Sequence, residues 1–377
     1  MTHIFIVNEQ TFKIHLEFLF AGTGYGENEP DFLDRIKINS KSDKIEKTYV
    51  EMIADISKVR PNDKVAFYVT GCKKLFGFFK ITESPFFVSK ENNYLGGLLN
   101  KYLPLRIKIE PEEVFTEGVT EIEALDEISD IQHPYQMCWS LIYRKLTGMR
   151  GCSFVTDYEY NSLRNKLIKK NIGVLSGHSF SYDKNQQKIV ATTTNLNYDD
   201  ATNINLDIKG RLLSVSNSFE RHLQAYVIQN YDKSPLNNLL LPDNCISNWI
   251  GNEVVCSVGE QRIDLLIISE TNEKYQIRII ELKDGYPNKN IINQQIVWYI
   301  KWVQQYIVPN LSKSVDIIPT IIASSYKINC KGKKEFLNTC NTYNQNKPLI
   351  TNNTTLNPVE YIKFTRNVDD ISFEKVL

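Results

Sequence analysis

Two aliphatic runs separated by six polar residues constrain this chain more than any other feature. The first is Arg262-Ile263-Asp264-Leu265-Leu266-Ile267-Ile268, and the second is Tyr275-Gln276-Ile277-Arg278-Ile279-Ile280-Glu281-Leu282-Lys283. β-Branched and aliphatic residues run nearly unbroken through both, which predicts two strands. Ser269-Glu270-Thr271-Asn272-Glu273 between them has the chemistry of a turn, so the pair reads as a hairpin. Side chains alternate between the faces of a strand. Glu281 and Lys283 therefore share a face, and Ile280 and Leu282 point into the core. Asp264 lies near the start of the first strand, beside the end of the second in an antiparallel pair. The hairpin is expected to gather Asp264, Glu281 and Lys283 at one edge of a mostly apolar sheet.

Two carboxylates a few ångströms apart raise each other's pKa unless a cation sits between them. Mg²⁺, with Mn²⁺ as a substitute, suits such a pair, because it takes one or two protein carboxylates plus water and phosphate. It polarises a phosphoryl oxygen and lowers the pKa of a bound water. A lysine beside it can orient that water or stabilise the charge growing on the phosphate. Glu-x-Lys alone is common and says little. Here it sits in an apolar strand, with an aspartate on the strand before and a helix directly after.

On these residues the chain resembles the PD-(D/E)xK nuclease superfamily, whose fold is restriction-endonuclease-like. Ile263 stands where the family name has proline, and Arg-Ile-Asp is similar to the NucS-like branch. That branch implies a glutamate on an upstream helix, matched by Glu220 in Ser218-Phe219-Glu220-Arg221-His222-Leu223. It also implies a downstream helix with Gln and, four residues on, Tyr, matched by Gln295 and Tyr299. The resemblance covers roughly residues 215 to 370. It implies Asp264 and Glu281 as metal ligands, with Lys283, Glu220 and Gln295 completing the catalytic set. Tyr299 and Arg262 are expected to support the site or touch substrate.

A chain of 377 residues exceeds one ordinary core, so two domains are expected. Lys plus Arg equal Asp plus Glu at 44 each, which excludes a wholesale basic coat and leaves room for a local basic groove. No apolar run approaches a membrane span, and the first residues do not read as a signal peptide. The seven cysteines are scattered, with no Cys-x-x-Cys, which points to reduced thiols in a cytoplasmic protein.

The fold expected overall is α/β (α+β) in two domains. Residues 1–172 form a recognition domain, 173–216 a linker, and 217–377 the nuclease-like domain. In the first half, residues 3–8 alternate into a strand, and Asn8 or Thr11 caps a helix that follows. Ala21–Gly26 reads as a glycine-rich loop, Tyr49–Ile56 as a helix, and 64–69, 74–82 and 102–110 as strands, with Gly77 at a bulge or close approach. Asn62-Asp63-Lys64-Val65-Ala66-Phe67-Tyr68-Val69 followed by Phe76-Gly77-Phe78-Phe79-Lys80-Ile81 is similar to the EVE/PUA-like β-barrels. That resemblance implies nucleic-acid binding, with a base stacked on one of the aromatic residues Phe20, Tyr25, Phe67, Tyr68, Phe76, Phe78 or Trp139, most of which are expected to be core. Residues 112–131 read as an acidic loop and 135–146 as an amphipathic helix. A basic cluster of Arg144, Arg150, Lys169 and Lys170 offers phosphate contacts, or simply a solvated face.

In the second half, helix 216–230, a polar loop 232–252, strands 253–256, 262–268 and 275–283, a helix after Pro287, and strands 315–323 and 361–364 are expected. Helix, three strands, helix, strand is the order of the αβββαβ core. The function expected is Mg²⁺-dependent cleavage of double-stranded DNA by a homodimer of restriction type, modification-dependent or sequence-specific. A NucS-like mismatch or branched-DNA nuclease is the alternative. An inactive module that binds DNA or RNA is the alternative of another class.

Overall fold

The computed structural model describes residues 1–24, 44–126, 129, 131–141, 151–194, 196–199, 203–205, 208–214, 220–256, 261–287, 291–326 and 354–376. The chain is mixed α/β and divides into two units, the first running through residue 205 and the second starting at Ile208.

The first unit is built on one curled sheet. Its elements are β1 (Thr2–Val7), α1 (Glu9–Phe18), β2 (Phe20–Thr23), α2 (Lys44–Ser57), β3 (Lys64–Val69), β4 (Lys74–Ile81), β5 (Phe86–Val88), α3 (Gly96–Leu99), β6 (Leu105–Pro111), β7 (Val119–Thr120), α4 (Glu121–Leu125), β8 (Cys152–Val155), α5 (Asp157–Lys170), β9 (Phe180–Asp183), β10 (Lys188–Ala191) and β11 (Asn203–Asn205). The strands run β11-β5-β6-β4-β3-β1-β8, with β2 beside β6 and β7 beside β4. The result is a half-barrel with two ends among the described residues. β1 and β3 are parallel, and the other pairs of this sheet are antiparallel. Alternating aliphatic and aromatic residues make these strands, and Phe5, Phe67, Phe76 and Phe79 pack with Phe12 of α1 in one cluster without solvent exposure.

Local signals place several boundaries. Asn8 caps α1, its side chain accepting from the Thr11 amide at 2.8 Å while the Thr11 hydroxyl accepts from the Asn8 amide. Thr156 and Glu159 form the same reciprocal box at the start of α5. At Gly77 the β3–β4 register shifts, and an added Cβ would lie 3.3 Å from that of Ala66, so the close approach expected there is present.

Other expectations need correction. Phe20–Thr23 is a strand, because the apolar register of Phe20 and Ala21 pairs with β6 and overrides the glycine signal. Glu112, Glu113, Glu117 and Glu123 are ion-paired to Lys64, Arg164, Lys188 and Lys170, and Thr120 caps a short helix, so that acidic segment is built into the unit. Cys152–Val155 is an edge strand among the described residues, where no strand was expected. Of the helix expected at 135–146, the described part is short 3₁₀ turns at Pro134–Gln136 and Trp139–Leu141. Residues 173–205 are not a linker: β9 and β10 form a hairpin and β11 joins the sheet edge beside β5.

The second unit comprises α6 (Ile208–Ser214), α7 (Glu220–Asn230), α8 (Leu236–Leu240), β12 (Ser247–Cys256), β13 (Gln261–Glu270), β14 (Lys274–Lys283), α9 (Val297–Tyr306), β15 (Ser314–Ala323), β16 (Thr354–Leu356), β17 (Glu360–Arg366) and β18 (Ile371–Lys375). A π-helical turn, Ile291–Ile296, leads into α9. The sheet runs β12-β13-β14-β15-β17-β18, with β16 also on β15. β12, β13 and β14 form an antiparallel meander, and β15 then joins parallel to β14 after a crossover through α9. Ile277 to Leu282 are buried on both faces of this central strand, as in a sheet packed on both sides, and this accounts for the unbroken aliphatic run of β14. Ile277, Ile279, Ile280 and Leu282 have no solvent exposure.

The polar loop expected at 232–252 is shorter than its composition suggests, since it contains α8 and the first half of β12. β17 is followed by one more antiparallel strand, β18. Arg278 is buried on the central strand and donates to the Leu240 carbonyl at 3.0 Å, to the Thr320 hydroxyl at 2.8 Å and to Glu360. One guanidinium thereby ties α8, β15 and β17 to β14.

Candidate functional site

The β13–β14 register runs from Glu270 opposite Tyr275 to Leu265 opposite Ile280. One step further sets Asp264 level with Glu281 on one face. The Asp264 carboxylate accepts from the Leu282 amide at 2.7 Å, which closes the end of the ladder with a side chain. Glu281 is 1% exposed. Lys283 Nζ lies 2.9 Å from Glu281 Oε1 and 3.2 Å from Glu220 Oε1, and donates to the Leu282 carbonyl at 2.6 Å. Glu220, in the first turn of α7, thus reaches the hairpin edge.

Gln295 and Tyr299 reach the same edge from the other side. The Gln295 amide donates to the Tyr299 hydroxyl, and that hydroxyl donates to the Arg262 carbonyl. Tyr299 is 1% exposed, so its ring is a fixed support with its polar tip on the start of β13. Gln295 also lies close enough to Glu281 to favour its anion.

Three carboxylates share one ammonium here, and the electrostatics follow. Burial first, and then the neighbouring Glu281, push the Asp264 carboxyl well above the usual aspartate range, against the pull of Lys283 and the Leu282 amide. Burial likewise raises Glu281, with Lys283 only partly offsetting it. Burial would lower Lys283, but Glu281, Asp264 and Glu220 outweigh it and hold the ammonium above its ordinary range. Glu281 Oε2 is buried without a hydrogen-bond partner, and so is Gln224 Oε1. A buried carboxylate oxygen whose lone pairs accept no hydrogen bond, beside a second carboxylate forced towards protonation, is a donor set suited to a hard cation. Among the described residues no group of three or more His, Cys, Asp or Glu stands ready to hold a metal alone. The pair Asp264 and Glu281 nevertheless fits Mg²⁺, which completes its shell with water and phosphate oxygens.

Two contributors escaped the sequence reading. Gln224 lies one helical turn after Glu220, and its amide donates to the Asp264 carbonyl at 2.9 Å and to Glu253 at 3.2 Å. Its i,i+4 spacing from Glu220 was a usable signal. Glu253 sits on β12 between residues paired to Ile263 and Leu265, with a left-handed φ of 49°. That conformation interrupts the ladder level with Asp264, and no sequence pattern announces it.

Arg262 is exposed and pairs with Glu253 at 3.3 Å. Lys169 and Lys170 lie on α5 in the first unit, and Lys170 is held by Glu123 at 2.7 Å. The proposed phosphate contact of Lys170 is therefore engaged in an internal ion pair. Arg144 and Arg150 lie outside the described residues, as does Tyr25. Of the aromatic residues named for a base pocket, Phe20, Phe67, Phe76, Phe78 and Tyr68 are core, at 2% exposure or less. Trp139 is partly exposed and donates to the Pro134 carbonyl at 2.8 Å. The described cysteines Cys72, Cys138, Cys152, Cys245 and Cys256 are free thiols. No described helix is long and apolar enough to cross a membrane.

Compared with known proteins, the chain matches no family model and no curated protein.

Proposed function

We propose that this protein is a Mg²⁺-dependent endonuclease of the PD-(D/E)xK type, acting on double-stranded DNA as a restriction enzyme. The observation that carries the reading is the partnerless buried Glu281 Oε2 beside Asp264, with Lys283 2.9 Å from the other Glu281 oxygen. The succession α7, β12, β13, β14, α9, β15, with α8 inserted, supports the αβββαβ core.

Asp264 and Glu281 would hold the ion, with Mn²⁺ as a substitute. When bound, Mg²⁺ polarises a phosphoryl oxygen and acidifies a water. Lys283 faces the same space and supplies positive charge where the phosphorane-like transition state gathers negative charge. Glu220 orients Lys283. Gln295 and Tyr299 fix Glu281 and the start of β13. Gln224 holds the Asp264 backbone.

The curled sheet of the first unit would select the target in the manner of an EVE/PUA-like domain. One site per chain cuts one strand, so cleavage of both strands calls for a homodimer.

The test is cleavage of paired plasmids, unmodified and cytosine-modified, with Mg²⁺ or Mn²⁺. Cutting that is lost in both Asp264→Asn and Lys283→Ala is the expected result, and a difference between the plasmids assigns target choice. Equal cutting by either variant and the parent would remove the hairpin site from the reaction.

A further inference from the structure

A groove of about 630 Å³ opens alongside the carboxylate site and shares Gln295, Tyr299 and Arg262 with it. The rest of its wall includes Gln261, Gln294 and Trp298, and among the described residues no carboxylate lines it. Trp298 is 42% exposed, whereas Trp302, one turn further along the helix, is 3% exposed. The helix therefore buries one indole in the core and turns the other into the groove. Gln261 and Gln294 are exposed, and each amide presents a donor and an acceptor side by side. The Arg262 side chain is 47% exposed, and its bond to Glu253 is a surface ion pair that a phosphate can displace.

An aromatic face, paired amide groups and a guanidinium match a nucleotide: ring, base edge and phosphate. In an intact duplex both faces of every base are covered by neighbouring bases. An indole can stack only on a base that has left the stack. We infer that Trp298 stacks on an unpaired or extruded nucleobase adjacent to the scissile phosphate, with Gln294 and Gln261 at the base edge and Arg262 on the flanking phosphate. The inference rests on the nuclease reading. It adds to that reading that the bound double-stranded DNA exposes one base beside the cut, so that sites which open easily, such as mismatched or locally melted ones, bind more tightly.

The test is fluorescence anisotropy with labelled DNA in a Lys283→Ala background, so that binding is read without cleavage. The probes are one single-stranded oligonucleotide, its fully paired duplex, and the same duplex with one central mismatch. Trp298→Ala is expected to weaken the single strand and the mismatched duplex about 5- to 150-fold, the range for loss of one stacked base. Trp298→Phe retains a ring and is expected to recover most of that loss, and neither change alters the paired duplex. A Trp298→Ala protein that binds all three probes like its parent overturns the inference, and so does one that loses all three equally.

Metal-dependent cleavage of the same probes by the Lys283 protein separates the two readings. Cleavage present with binding indifferent to Trp298 defeats stacking alone. Trp298-dependent binding with no cleavage at any Mg²⁺ or Mn²⁺ level defeats the nuclease and leaves the stacking site standing. Failure to bind any probe defeats both.

Discussion

At the scale of the residue, the site is a contest between desolvation and charge pairing. Asp264 and Glu281 are both held above their ordinary carboxylate range, mainly by burial, because one lysine cannot neutralise three neighbouring acids. A carboxyl whose folded pKa is raised adds stability below its unfolded pKa, and this contribution is lost as pH rises through the folded value. The metal-free protein is therefore expected to lose stability as pH rises from the acid range towards neutrality, and millimolar Mg²⁺ restores it by replacing the protons. Urea midpoints with and without Mg²⁺ at several pH values measure this. Calorimetric Mg²⁺ binding in buffers of different ionisation enthalpy is expected to show proton release, which would be missing if both acids were already ionised. Asp264→Asn keeps an acceptor for the Leu282 amide and removes the disfavoured charge. It is expected to stabilise the metal-free protein at neutral pH by about 1 kcal/mol while abolishing both cleavage and the Mg²⁺ effect. A loss of stability in that variant would show that the carboxylate is structural. Lys283→Ala is expected to lower the cleavage rate by roughly 10²–10³-fold, the loss typical of one electrostatic group at a transition state.

At the scale of the element, β14 is the part most legible from sequence, and the helix after Pro287 was expected too, though not the π-helical turn ahead of α9. Nine consecutive residues from Tyr275 to Lys283 announce a buried strand, because every position but the ends must fit between two neighbours. The placement of Asp264 beside Glu281 follows from antiparallel register, so the hairpin site was readable before any coordinates. Leu282 is expected to anchor that register: Leu282→Ala leaves a cavity and costs about 2–5 kcal/mol in chemical denaturation. The π-helical turn that delivers Gln295 was not readable, because a single wide turn leaves the i,i+4 pattern of Gln295 and Tyr299 almost unchanged. Tyr299→Phe removes the hydroxyl that joins Gln295 to the Arg262 carbonyl. It is expected to lower stability by about 1 kcal/mol, with a fall in kcat larger than any change in KM. An unchanged kcat would make Tyr299 a packing residue. Elsewhere, β2 and β8 were hidden because four-residue strands get their register from partners distant in sequence, and glycine or cysteine in them carries no local strand signal.

At the scale of the whole molecule, the division into two units follows chain length and the break between β11 and α6. A protein cut or expressed from residue 208 onward is expected to keep Mg²⁺-linked stabilisation, measured by thermal melting, and to lose discrimination between modified and unmodified plasmids. Retained discrimination would move target choice into the second unit. The sequence by itself determined the helix–meander–helix–strand succession and the hairpin that carries Asp264 and Glu281, because short-range periodicity and two-residue alternation set them, while Glu220 and Gln295 came only from the family resemblance. Tertiary structure alone decided that residues 173–205 complete the first unit, that Lys170 is consumed by Glu123, that Gln224 and Glu253 join Asp264, and that Trp298 faces a groove while Trp302 faces the core. Each of these depends on which distant side chain fills the adjacent space, and burial and ion pairing between distant segments leave no periodic trace in the chain.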